Sequence, residues 1–184
     1  PDGSRVYFDS AGRLRAIDPT RPVHIRGRTF DKEVQLGSDG TVLEGWLVAG
    51  KGDDDLPCSG QHPTRFHPNG RVADCRVAAE PGGPSVQGLG LAKNSPLHAY
   101  PNGKLASAFL EGPQAIQGLE VVSRTGLMNA CGDPGACQVG TPVRFHPNGK
   151  LASGLLAHPQ KVRGVELRSL APASSASDAC AMVT

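Results

Sequence analysis

The sequence predicts an all-β protein, an antiparallel array of about five stacked β-hairpin or three-stranded repeats. Three observations carry this prediction. The 184 residues include 24 Gly and 16 Pro, five turns ending in glycine recur along the chain, and a second glycine follows several of those turns at a nearly fixed distance.

The composition favours many turns and opposes long helices. With five Phe, two Tyr and one Trp, the core must be aliphatic. The length suits one domain or one short array of repeats. Nineteen Lys and Arg against 17 Asp and Glu leave a formal net charge of +2, so no global field draws the chain to nucleic acid. Near the N-terminus Arg5, Arg13, Arg15, Arg21, Arg26, Arg28 and Lys32 are interleaved with Asp2, Asp9, Asp18, Asp31 and Glu33, which reads as a mixed solvated surface. No apolar run approaches the roughly 18 residues of a spanning helix. The start at Pro1-Asp2-Gly3 lacks the charged leader and apolar stretch of a signal peptide.

The turns are Phe8-Asp-Ser-Ala-Gly12, Leu36-Gly-Ser-Asp-Gly40, Phe66-His-Pro-Asn-Gly70, Ala99-Tyr-Pro-Asn-Gly103 and Phe145-His-Pro-Asn-Gly149. Asn-Gly and Asp-Gly supply the positive φ angles that tight turns between antiparallel strands need, so each is a predicted hairpin tip. Two residues beyond the glycines stand Leu14, Val42, Val72, Leu105 and Leu151, and four before them Phe8, Leu36, Phe66, Ala99 and Phe145. These positions can face one core. Five beyond stand Ile17, Gly45, Cys75, Ala108 and Gly154, mostly small, as close stacking of hairpins requires.

The second glycine falls fifteen residues after the first at Gly27, Gly118 and Gly164, and eighteen after at Gly88. It extends the unit to a predicted third short strand, clearest at Leu119-Glu-Val-Val122 and Val165-Glu-Leu167. Turn glycines are 28, 30, 33 and 46 residues apart, so the last gap holds an insertion, Thr125 to Cys131 and the loop after it, of the kind that forms a surface loop. The organisation is a β-repeat domain over 1–170, with units beginning near 5, 34, 64, 97 and 143, and a low-complexity tail over 171–184.

Two stretches, Tyr100-Pro-Asn-Gly-Lys-Leu-Ala-Ser-Ala-Phe-Leu-Glu-Gly112 and Asp39-Gly-Thr-Val-Leu-Glu-Gly-Trp-Leu47, resemble MORN repeats and their bacterial variants. The resemblance covers roughly positions 5 to 168 in pattern, with units longer than the usual two dozen or so residues. It implies stacked β-hairpins. It also implies membrane-lipid binding, dimerisation and scaffolding, or neutralisation of a protein partner. The family's aromatic and glycine pattern in the second strand stands at Gly45-Trp46 and is replaced at Cys75-Arg76, Ala108-Phe109 and Gly154-Leu155.

Five cysteines divide into Cys58 with Cys75, Cys131 with Cys137, and a solitary Cys180. Cys131-Gly-Asp-Pro-Gly-Ala-Cys137 folds around a Gly and Pro turn, which predicts a disulfide; Cys58 and Cys75 flank a hairpin turn and are predicted to bridge as well. Disulfides imply an extracytoplasmic chain, periplasmic or secreted. The alternative is five reduced thiols in the cytosol.

Candidate chemistry is sparse. His62 and His67 follow Cys58, but His67, Tyr100 and His146 hold equivalent repeat positions and so read as consensus rather than as converging zinc ligands. Asp53-Asp54-Asp55 lacks the alternating spacing of a calcium loop. There is no Gly-x-Ser-x-Gly, no Cys-x-x-Cys, no phosphate loop, and Gly88-Leu-Gly90 does not continue into a dinucleotide fingerprint. No catalytic residue, metal site or cofactor is expected. The leading expectation is a non-enzymatic binding or scaffold protein that engages a protein partner or itself. One alternative is a membrane-lipid or glycan module using the N-terminal arginines or Trp46 and Tyr100; another is an enzyme with a groove among His67, Tyr100 and His146. The candidate binding residues are therefore Trp46, His67, Tyr100 and His146.

Overall fold

A computed structural model describes residues 3–48, 56–79, 85–127, 138–162 and 164–167. From the N-terminus come β1 (Arg5–Phe8), β2 (Leu14–Asp18), β3 (Val23–Ile25), β4 (Arg28–Leu36) and β5 (Val42–Leu47). Then follow β6 (Thr64–Phe66), β7 (Val72–Arg76), β8 (Ser85–Val86), β9 (Leu89–Gly90), β10 (Pro96–Ala99) and β11 (Leu105–Ala108). Next are β12 (Gln114–Ile116), β13 (Leu119–Val122), β14 (Arg124–Leu127), β15 (Gln138–Thr141) and β16 (Val143–Phe145). Last come β17 (Leu151–Ser153), β18 (Leu155–Leu156), β19 (Gln160–Val162) and β20 (Val165–Leu167). No helix occurs among the described residues, so the all-β, antiparallel class holds.

One long sheet runs through the molecule in the order β1-β2-β4-β5-β6-β7-β10-β11-β16-β17, with β3 added on β4. Its hairpins close at the predicted glycines. Gly12, Gly40, Gly70, Gly103 and Gly149 all have φ between 75° and 85°, a region that favours glycine because it lacks a Cβ. Each tip repeats the same two backbone bonds, as in Gly70 N–H to His67 O and His67 N–H to Arg71 O, both 2.8 Å. Each also carries a one-residue bulge just before the turn, as between Arg65 and Phe66, so the loops are a turn plus a bulge rather than two-residue turns. Asn69, Asn102 and Asn148 lock the tips by accepting the amide two residues on, at 3.1, 3.0 and 2.9 Å.

The second glycine corrects the three-stranded unit. It sits at the tip of another small hairpin: Arg26-Gly27 joins β3 to β4, Gln87-Gly88 joins β8 to β9, Gln117-Gly118 joins β12 to β13, and Gly164 lies between β19 and β20. Arg26, Gln87 and Gln117 themselves have φ of 49°, 52° and 52°, as a turn with two left-handed residues demands. The predicted third strand is thus the outgoing arm of a hairpin whose incoming arm, only two or three residues long, is too short to register as periodicity.

The core lies between the long sheet and these small hairpins. Phe30, Leu47, Val72, Leu91, Leu97, Leu105, Val121 and Val143 are almost wholly buried, each worth roughly 1.5–3 kcal/mol relative to exposure. Phe30 meets Phe66 edge to face at 6.0 Å. The predicted core positions are filled at Leu36, Phe66, Ala99 and Phe145. They fail toward the two ends of the array: Phe8 is exposed, and Leu14 and Leu151 are only partly buried, because no further hairpin covers β1 or β17 among the described residues.

The small residues behave as their position requires. A Cβ on Gly45 would stand 2.8 Å from Cδ1 of Phe30, and Ala108 is buried. Cys58 and Cys75 form the predicted pair, with Cα atoms 5.7 Å apart. The insertion includes the pair β14 and β15; Cys131, Cys137, Cys180, Asp53 to Asp55 and the tail over 171–184 lie outside the described residues.

Candidate functional site

The hairpin tips form one edge of the sheet, and side chains of the third and fourth tips tie each to the tip that follows. His67 Nε2 meets the carbonyl of Ala99 at 2.9 Å, so that nitrogen carries the proton, and Tyr100 donates its hydroxyl to Phe145 O at 2.9 Å. Asn69 and Asn102 donate their amides to Pro101 O and Pro147 O at 2.7 and 2.9 Å. Arg71 and Lys104 reach Asn102 O and Asn148 O at 2.7 and 2.9 Å. Gln87 and Gln117, at the tips of the small hairpins, add bonds to Gly103 O and Gly149 O at 3.3 and 3.1 Å. Asparagine is needed where the tips stack, because an aspartate accepts the local amide but has nothing to donate onward.

Three predicted binding residues therefore share this edge. His67 and Tyr100 are half-buried and bonded to the next hairpin, whereas His146, on the last tip, is exposed. Trp46 stands apart in β5, half-buried. Cys58 belongs to the disulfide, which removes it from any zinc set with His62 and His67. Among the described residues no three His, Cys, Asp or Glu side chains are grouped to hold a metal ion.

The outward face of the sheet carries a charged row that spacing along the chain did not reveal. Glu44 pairs with Arg65 at 3.0 Å, Asp74 hydrogen-bonds Nδ1 of His98, and Arg65 lies opposite Asp74 in register. A shallow cleft of about 340 Å³ runs between them, bordered also by His62 and Arg76. Ser107 follows His98 in register on β11, which sets acid, imidazole and hydroxyl side by side. No hydrogen bond joins His98 to Ser107 among the described residues, so the base is not aligned on a nucleophile. Exposed cross-strand pairs of this kind contribute little to stability.

A second cleft, about 330 Å³, lies among Arg26, Arg28, Arg71, Asn69 and Thr41. Arg28 stacks on Phe66 at 4.9 Å and donates to Gly70 O, and Arg71 donates to Asn102 O. The Thr41 side chain and amide hold the Asp39 carboxyl below its usual value, with a smaller contribution from the charge of Arg26, whose side chain makes no hydrogen bond among the described residues.

Both ends of the long sheet are open among the described residues. At the first, Val6, Tyr7 and Phe8 of β1 are 53%, 47% and 60% exposed. At the last, Leu119, Val121, Leu151, Leu155, Leu156 and Leu167 line an apolar groove of about 440 Å³ beside β17. No protein-family model, no curated protein and no solved structure matches the chain.

Proposed function

We propose that this chain is a non-enzymatic β-repeat protein of MORN-like type that binds or scaffolds a protein partner through the uncovered end of its sheet. The observation that carries the reading is the exposure of Val6 and Phe8 on the edge strand β1. Their counterparts Val34 and Leu36, Leu97 and Ala99, and Val143 and Phe145 are all buried. An edge strand with an apolar side is a template for strand addition. The engagement of His67 and Tyr100 in the tip stack supports a structural role for them and weighs against a catalytic groove. The Cys58–Cys75 pair supports an oxidising, extracytoplasmic setting.

The test uses the full chain as bait beside its Phe8→Glu variant, with a protein common to both baits counted as background. A protein held by the first and lost by the second supports the reading; binding indifferent to Phe8 and Val6 overturns it. The arginine-lined cleft favours a second reading, an anionic lipid surface. Retention on vesicles containing phosphatidylserine, lost in Arg26→Glu, would establish it.

A further inference from the structure

The four junctions between successive hairpins of the long sheet obey one register rule. Four residues past a tip glycine, the chain pairs with the residue five before the next tip glycine, as in Ala16 with Gln35, Glu44 with Arg65, Asp74 with His98 and Ser107 with Arg144. The next pair inward obeys the same rule: Ile17 with Val34, Gly45 with Thr64, Cys75 with Leu97 and Ala108 with Val143. Applied once more from Gly149, the rule makes Ser153 and Gly154 the partners of a fifth incoming strand. At the other end of the chain, Tyr7 and Val6 stand five and six before Gly12.

The tips extend the same continuity. In both stacked junctions the donors come from three fixed positions: His67, Asn69 and Arg71, then Tyr100, Asn102 and Lys104. On the last tip these positions are His146, Asn148 and Lys150, and all three are exposed. Their acceptors would be the carbonyls that Phe8, Ser10 and Ala11 carry at the first tip. Between them the apolar groove beside β17 lies where Val6 and Phe8 would enter. Leu151 lines it half-buried, although its counterparts Val72 and Leu105, each covered by a following hairpin, are 1% exposed.

We infer that the two ends of the sheet are complementary and that a second copy of this chain docks its β1–β2 hairpin on β17, head to tail. The inference rests on the proposed protein-binding role of β1 and names its partner. Register, tip donors and groove all specify a hairpin of this chain's own pattern, which is why a second copy is the occupant. Such a contact joins two different surfaces, so it propagates into chains of molecules unless its curvature closes a ring.

Sedimentation velocity over a range of concentrations tests this with two surface variants. Val6→Lys/Phe8→Glu blocks the first end. His146→Ala/Asn148→Asp/Lys150→Glu blocks the last, and the aspartate placed there keeps the oxygen that holds the tip, as Asp39 does at its own tip. All five side chains are exposed, and unchanged thermal midpoints confirm that both variants fold. The wild-type mass should rise with concentration. Each variant alone should associate at least about ten-fold more weakly. An equimolar mixture of the two should regain pairing and stop at dimers, because each supplies one live end.

A wild-type mass that stays at the monomer value over the whole concentration range overturns the inference, as does either variant associating as the wild type does. If the wild type is monomeric but still captures a protein through Phe8, only the second copy is excluded and the edge belongs to a foreign partner. If it is monomeric and captures nothing through Phe8, the protein-binding reading falls with it.

Discussion

The hydroxyl of Tyr100 donates to the carbonyl of Phe145 across 2.9 Å and forty-five residues of chain, the same service that His67 gives to Ala99. A neutral bond of this kind is worth about 1 kcal/mol net. Tyr100→Phe should lower the unfolding free energy by that amount, read as a lower urea midpoint at an unchanged slope, and His67→Ala should lower it comparably. His146→Ala, at a concentration where the chain is monomeric, should leave the midpoint unmoved. A His146 effect as large as the other two would contradict the stacking role assigned to this position.

Much of this edge was legible in the chain. Glycine at five tips, asparagine before three of them, and alternating apolar positions around them gave the hairpins directly. The outer row of Glu44, Arg65, Asp74 and His98 was not, because its members come from four strands and meet only through cross-strand register. Register in turn depends on the bulge at each tip, which shifts every residue beyond it. Phe8 was expected in the core because it shares its position with Phe66 and Phe145; position in a repeat does not report whether a neighbour is present. The candidate Trp46 was read from side-chain type alone, and it lies away from the tip edge that gathers the other three.

Gly45 and Phe30 constrain each other. A methyl group at Gly45 would meet Cδ1 and Cε1 of Phe30 at 2.8 and 2.9 Å, and Phe30 is fully buried. Gly45→Ala should cost about 1–3 kcal/mol through overpacking. Adding Phe30→Leu should recover part of that loss, so the double variant should be more stable than the sum of the single effects. Simple additivity in denaturant unfolding would count against the contact.

Opposite Gly45 in register stands Thr64, fully buried, whose hydroxyl has no hydrogen-bond partner among the described residues. Thr64→Val replaces that hydroxyl by a methyl of similar shape. It should raise stability by about 1 kcal/mol, since an unsatisfied buried hydroxyl carries a desolvation penalty. A lower melting temperature would mean that the hydroxyl is satisfied after all.

Acid should loosen the first two tips before the others. Backbone donation from Arg13 holds the Asp9 carboxyl below its ordinary 3.8, and the hydroxyl and amide of Thr41 do the same for Asp39. A carboxyl whose folded pKa is depressed stabilises the fold fully above its unfolded pKa, and that stabilisation fades as pH falls through the lower folded value. Amide exchange at Arg13 and Thr41 should therefore accelerate as pH drops below 3.8 relative to Arg71, Lys104 and Lys150, once the intrinsic pH dependence is divided out. In Asp39→Asn the acid sensitivity at Thr41 should vanish while the turn survives, because Asn69 holds Arg71 N–H in the same way.

The Cys58–Cys75 bridge closes a sequence separation of 17 residues and ties β7 to the segment ahead of β6. A loop of that size restricts the unfolded chain enough to contribute about 3 kcal/mol. The mass of the non-reduced protein should be lower than that of the reduced protein by at least the two hydrogens of this pair. Peptide mapping should recover Cys58 linked to Cys75. Reduction, or the double change Cys58→Ala/Cys75→Ala, should lower the thermal midpoint, and the two treatments should differ by whatever the remaining cysteines contribute. The double alanine variant separates the cross-link from packing, because alanine keeps these buried positions small and apolar while the tether is gone. Five titratable thiols in the untreated protein, with a midpoint indifferent to reductant, would remove the bridge and with it the structural support for an oxidising compartment.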